Sequence, residues 1–188
     1  ATPPVWAAAS QAWQSNAPVT DLLVDRMEIT QSIQDLNNSV PLVAGKRTFV
    51  RLYAHATTGS HLTLATLKVD TGLLSKTLLP IKPGGPLITV KPAYNRLLPS
   101  HAFLFELPNW ATVAGNLTLT ATVNPDLRWR PRSPEEFSYA NNVLVQNASF
   151  DLVSKLHLVI VDQPYRINNI TYSVRLYDRW KAVEWIAR

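Results

Sequence analysis

The sequence predicts a mainly β protein: an antiparallel β-sandwich over residues 21–153, then a strand, turn and helix over 154–188 that begin a following α/β region. Three observations carry that prediction. Seven or so short segments alternate apolar and polar residues with a period of two, separated by turn residues. No helical periodicity precedes Ser173. The segment KLHLVIVD (155–162) is apolar on both faces, as a strand covered on both sides requires.

Residues 1–20 are rich in Ala, Pro, Ser and Gln and nearly uncharged, which fits a linker or the start of a mature secreted chain. LLVDRMEIT (22–30) is the first strand, and the polar stretch after it is expected to be a loop. In TFVRLYAH (48–55), Val50, Leu52 and Ala54 alternate with Phe49, Arg51 and Tyr53. HLTLATLKVD (61–70) begins in phase on Leu62 and Leu64, then slips to Leu67 and Val69. That slip predicts a β-bulge at Ala65–Thr66. PIKPGGPLITVKP (80–92) reads as turns and an edge strand, because proline cannot donate to an interior ladder.

AFLFEL (102–107) places Phe103, Phe105 and Leu107 on one face. NLTLTATV (116–123) is the cleanest alternation in the chain, with Leu117, Leu119, Ala121 and Val123 opposite three threonines. A long loop (124–142) leads to VLVQNASFDL (143–152). Short strands at this spacing with almost no helix indicate a sandwich. Beyond the turn-like QPYRINN, Leu176, Trp180, Val183 and Ala187 recur at helical spacing, predicting a helix over 173–188 with Ser173 as N-cap. Glu184 stands four residues before Arg188 on that helix. The expectation is that the chain stops just inside its next domain.

Composition bounds the function. Hydrophobic residues make up 46% of the chain, enough for a buried core. The absence of cysteine removes disulfides, thiolate metal sites and cysteine nucleophiles together. No apolar run reaches the length of a membrane span, so no membrane insertion is expected. The net charge of +5 is spread along the chain, which disfavours a nucleic-acid partner.

One group of cations is dense: Arg128, Arg130 and Arg132 around Trp129, in RWRPR. An aromatic among arginines can stack on a base or on an acidic polysaccharide, making these four residues a candidate ligand-binding group. The simpler reading is a solvated loop tip kept irregular by Pro131 and Pro134. The same loop holds Asp126, Glu135, Glu136, Asn141 and Asn142, oxygen donors that calcium would accept. Their spacing matches no calcium loop, and turn chemistry alone accounts for such residues. Calcium is therefore kept only as an alternative, and no cofactor is otherwise expected.

No catalytic motif stands out. Gly45-Lys46-Arg47-Thr48 lacks the earlier glycine of a phosphate loop, since that position is Val40, and a strand follows where a helix is required. The four histidines show no i,i+4 pairing, and no serine lies in a G-x-S-x-G elbow. Glu135 and Glu136 are adjacent, which directs them apart in most conformations.

The stretch SVPLVAGKRTFVRLYAHA (39–56) resembles the opening of Ig-like sandwich modules in large secreted bacterial proteins, including the cell-adhesion-related (CARDB-like) domains. FLFELPNW (103–110), LTLTATVNPD (117–126) and the Asn141–Asn142 pair before the last strand are similar to the later part of that pattern. The region 27–53 also resembles a sandwich domain found ahead of bacterial zinc-metallopeptidase-like domains. The resemblance covers about residues 22–152. It implies an Ig-like fold, with Gly45 in a turn, Phe105 and Trp110 in the core, and Asn141 and Asn142 at a hairpin.

The expected function is a non-catalytic, extracellular or cell-surface module: a spacer, adhesion or positioning domain of a larger secreted protein. Its partners would be neighbouring domains of the same polypeptide, or protein or glycan at the cell surface. Two alternatives accompany it. One is the N-terminal, non-catalytic part of a secreted zinc metallopeptidase. The other is a carbohydrate-binding module using Trp129.

Overall fold

The computed structural model describes residues 20–81, 86–153 and 163–186. They fall into two compact units divided between Val153 and Ser154. The expected lead-in over 1–20 lies outside the described residues except for Thr20, and so does the expected strand 155–162.

Nine strands make up the described part of the first unit. β1 (Leu22–Thr30), β3 (Phe49–Ala56) and β7 (Phe103–Glu106) form a three-stranded antiparallel sheet in the order β1-β3-β7. β2 (Leu42–Val43), β4 (His61–Asp70), β5 (Ser75–Leu78), β8 (Gly115–Val123) and β9 (Val143–Asp151) form the path β2-β9-β8-β4-β5, and β6 (Leu87–Val90) also pairs with β4. Every pairing is antiparallel except the two-residue contact of β2 with β9. Met27, Ile29, Val50, Leu52 and Phe105 from the first sheet share one core with Leu67, Val69, Leu119, Ala121, Val123 and Phe150 from the second. Each such side chain contributes about 1.5–3 kcal/mol by leaving water, which makes the alternating segments the framework of the unit.

Two strands depart from the sequence reading, each for a packing reason. No register break occurs at Ala65–Thr66. Instead, His61–Leu64 pair with β6, and Ala65–Asp70 pair with β8. Thr63 through Leu67 are all buried, while Leu62 is exposed. Both faces of β4 are covered where its partner changes, so no single core side exists there to set an alternation. The bulge of the first sheet lies in β1, where the register shifts between Val24 and Arg26. Leu22 faces the core before the shift, and Met27 and Ile29 face it afterwards. The extra residue, Asp25, accepts a hydrogen bond from His55 Nδ1 at 2.8 Å.

The second unit contains a hairpin, β10 (Tyr165–Ile167) with β11 (Ile170–Tyr172), and one helix, α1 (Leu176–Ile186). The hairpin occupies part of what the sequence reads as a turn. Asn168 and Asn169 both take positive φ, 48° and 63°, as a two-residue turn between right-twisted strands requires. Tyr165 and Tyr172 stack across it with ring centroids 5.2 Å apart. The helix starts three residues later than predicted, so Ser173 is not its N-cap. β11 runs through Tyr172, and the first helical turn is closed instead by Arg175, whose carbonyl accepts from the Asp178 and Arg179 N–H groups. Asp178 in that turn suits the positive end of the helix. Ala187 and Arg188 lie outside the described residues, and no helix among the described residues is long and apolar enough to cross a membrane.

Candidate functional site

In the antiparallel ladder Glu28 stands opposite Arg51, and Arg51 stands opposite Leu104. Directly opposed residues share a face, so these three form one row across the outer side of the β1-β3-β7 sheet, away from Met27, Val50 and Leu52. Two segments rise on either side of the row: residues 32–34, following β1, and residues 96–102, preceding β7. Together they enclose a cleft of about 690 Å³. That volume lies within the range of small-molecule and peptide pockets.

Glu28 is the centre of the floor. It is almost fully buried, and its carboxylate accepts hydrogen bonds from Arg96 Nη2 at 2.7 Å, Arg96 Nε at 3.2 Å and the Tyr53 hydroxyl at 3.0 Å. Arg51 Nη1 lies 3.6 Å away, at ion-pair distance. Burial pushes the Glu28 carboxyl up, but the hydrogen bonds from Arg96 and Tyr53 and the charges of Arg51 and Arg96 together outweigh it. The carboxyl is held below its ordinary range. Tyr53 is pushed up to about 12, chiefly by burial; the Arg51 charge opposes this, while the hydrogen bond to Glu28 adds to it. Tyr94 stacks on Tyr53 with ring centroids 4.7 Å apart, and the Arg51 guanidinium lies over the Tyr53 ring at 5.4 Å.

The charged groups also fix the cleft walls. Arg96 Nη2 donates to the Gln34 carbonyl at 2.6 Å, and Arg51 Nη2 donates to the Arg96 carbonyl at 2.6 Å. One wall is thereby tied to the other, and both to the sheet. The polar stretch after β1, which the sequence shows only as a loop, is held by its amides. Gln34 Nε2 donates to the Ile29 and Val40 carbonyls, and Gln31 Nε2 donates to the Val43 carbonyl. Asn38, at φ 55°, accepts from the Ile29 N–H and donates to the Met27 carbonyl.

The cleft was not among the sites expected from sequence. Glu28, Arg51 and Arg96 are far apart along the chain and meet only through strand register. The available signal was that Arg51 occupies the non-core phase of a strand whose other phase, Val50, Leu52, Ala54 and Ala56, is continuously apolar, and that Glu28 lies between Met27 and Ile29.

The sequence-derived candidates lie elsewhere. Trp129 sits at the tip of a tight turn, closed by paired Leu127 and Arg130 backbone hydrogen bonds of 3.1 and 2.9 Å, and is 65% exposed. Its arginines do not converge on one group. Arg128 is exposed, Arg130 Nη2 reaches the Leu62 carbonyl at 3.4 Å, and Arg132 lies over the Tyr139 ring at 3.9 Å.

Of the oxygen donors, Asp126, Glu135 and Glu136 line a shallow depression together with Arg132 and Tyr139. The Asn141 and Asn142 amides are used in other contacts. Asn141 Nδ2 donates to Asp21 at 2.7 Å, and Asn142 Nδ2 donates to the Val123 carbonyl and to Glu136. Glu136 is buried, with Oε2 accepting from the Leu22 N–H at 2.7 Å and Oε1 from the Asn124 and Asn142 amides. These bonds fasten the loop 124–142 to the start of β1. Among the described residues, no three His, Asp or Glu side chains gather at a spacing suited to a metal ion.

The Gly45 backbone takes φ +76°, Phe105 is fully buried and Trp110 packs partly buried against the core. Asn141 and Asn142 lie in the short 3-10 turn Ala140–Asn142 that leads into β9. No family model, curated protein or solved structure matches the chain.

Proposed function

We propose that residues 20–153 are a non-catalytic, Ig-like β-sandwich module of a larger secreted protein, serving as an adhesion or positioning element whose contact surface is the cleft over Glu28, Arg51 and Leu104. The observation that carries this reading is the state of Glu28. A general acid or base needs an oxygen free to exchange a proton near the working pH. Both Glu28 oxygens instead accept hydrogen bonds from the chain, and the carboxyl is held ionised. The cleft floor is thus suited to hold a partner rather than transform one. On this reading the module works outside the cell or at its surface, beside other domains of its own polypeptide, among which a zinc-peptidase-like domain is one candidate.

The test is a domain exchange in the full-length protein. Residues 20–153 are replaced by an unrelated sandwich of equal length, and surface attachment and any hydrolytic activity of the parent are measured. Loss of attachment, or hydrolysis that persists but no longer reaches its macromolecular substrate, is the expected result. Unchanged behaviour would reduce the module to a spacer. Hydrolysis that disappears with the segment and returns with the isolated segment would overturn the non-catalytic reading. A second reading, glycan binding, is favoured by one observation only: the exposure of Trp129 at its turn.

A further inference from the structure

We propose that the cleft binds an apolar carboxylate, with the ligand's anionic group on Arg96 and Arg51 and its apolar part between Ile33, Leu97 and Leu104. The inference rests on the module reading and adds the chemistry of the partner. Its first support is a charge imbalance at the floor. Two guanidinium groups share the single carboxylate of Glu28, leaving one positive charge without a counter-charge among the groups that line the cleft. Asp35, a further carboxylate beside the wall segment, feels the Arg96 charge but makes no ion pair with it; its oxygens accept from the Ser39 hydroxyl and from the Asn37 and Ser39 N–H groups.

The second support is donor geometry. Arg96 uses Nε and Nη2 on Glu28 and Gln34, and Arg51 uses Nη2 on the Arg96 carbonyl. The Tyr53 oxygen also bears on Arg96, and Arg51 lies over the Tyr53 ring at 5.4 Å, but Arg96 Nη1 and Arg51 Nε have no hydrogen-bond acceptor of their own among the described residues, and both side chains line the cleft. A guanidinium fixed on one edge and open on another is pre-organised for a second carboxylate, since its orientation is already set before the ligand arrives. The third support is the rim. Ile33 and Leu97 are 80% and 85% exposed on opposite walls, and Leu104, Ala102 and Pro99 continue the apolar lining inward. Exposed aliphatic side chains over a cationic floor match a ligand with an apolar body and an anionic end. A neutral sugar or a cation would leave one of these features unmatched.

The experiment is a backbone and arginine Nε NMR titration of the whole 188-residue chain. Its probes are N-acetyl-leucine, N-acetyl-leucinamide, hexanoate and the peptide acetyl-Gly-Gly-Leu with a free carboxylate. Expected are saturable shifts confined to Ile33, Arg51, Arg96, Leu97 and Leu104, with the amide at least fivefold weaker than the acid. Leu97→Glu, at a position too exposed to disturb folding, should weaken the acid by at least fivefold. Hexanoate binding as tightly as the peptide identifies a free fatty or organic acid as the source; a tighter peptide identifies a chain terminus. Shifts elsewhere, no shifts, a smaller acid–amide difference, or an indifferent Leu97→Glu variant would each overturn the proposal. None of those results depends on the domain exchange, so the module reading stands or falls separately.

Discussion

Glu28 and Glu136 are both buried carboxylates that fasten a loop to β1, yet their partners are of opposite kinds. Glu28 is held by two arginines and a phenol. Glu136 is held by neutral donors: one backbone N–H and the amides of Asn124 and Asn142. Neutral donors satisfy the Glu136 carboxylate without bringing a surplus charge to it; what they leave over is neutral, the buried and unpartnered Oδ1 atoms of Asn141 and Asn142. Arginines bring more charge and more N–H groups than one carboxylate can absorb, so the Glu28 end stays receptive. The same task, anchoring a loop, yields a structural clamp in one place and a binding floor in the other.

The largest effect is expected where a charge is left behind. Glu28→Ala leaves Arg51 and Arg96 facing each other and should cost about 3 kcal/mol in urea-induced unfolding. The double variant Glu28→Leu, Arg96→Leu should recover part of that loss, because it removes one of the two orphaned charges and with it the repulsion between them, leaving only Arg51. If the double variant is no better than the single one, the contrast between the two anchors fails. Glu136→Ala orphans neutral donors only and should cost about 2 kcal/mol. No change at an arginine should rescue it.

How much of this was legible in the sequence follows from which faces are covered. β3, β7 and β8 lie close to their predicted spans because each pairs a core-facing apolar phase with a more polar phase; β1 and β9 do so too, although β1 changes phase at its bulge and β9 exposes Val143 and Val145. β5 has no such phase: Ser75, Lys76 and Thr77 are all exposed, and only register with β4 makes the segment a strand. β4 was legible as a strand but not in its partner change, since burial on both faces erases the alternation. The loop 124–142 is rich in oxygen donors in the sequence, but Glu136 and Asn142 turn inward, Glu136 to hold β1, and sequence carries no sign of that direction. Glu28 was hidden for a simpler reason. It is one of three charged residues in β1, with Asp25 and Arg26, and nothing marks it as the buried one until its ladder partner is known.

The pH response tests the Glu28 anchor on its own. Glu28 has a lowered carboxyl pKa, so its contribution is present above the ordinary value of 4.5 and is lost as the pH falls through the lower folded value. Glu28→Gln should therefore show a shallower loss of urea resistance on acidification than the parent. Tyr53 has a raised pKa, so its contribution is present below the ordinary value of 10 and is lost as the pH rises through about 12. Absorbance titration at alkaline pH should find one late-ionising tyrosine, absent in Tyr53→Phe. A parent in which all tyrosines ionise together would mean that the Tyr94 cover does not shield Tyr53 in solution.

The smallest effect is expected at Trp129, and it bears on whether the far loop is receptive as well. The side chain is 65% exposed at a turn closed by its own backbone, so Trp129→Ala should change stability by less than about 0.5 kcal/mol. Retention on immobilised polysaccharide should also be unchanged if the Glu28 cleft is the contact surface. Lost retention with unchanged stability would move the binding role to the turn, where the arginines diverge and only the ring offers a platform. A lowered melting temperature would instead mean that the ring packs against the loop it caps, placing Trp129 with Glu136 among the residues that close that end.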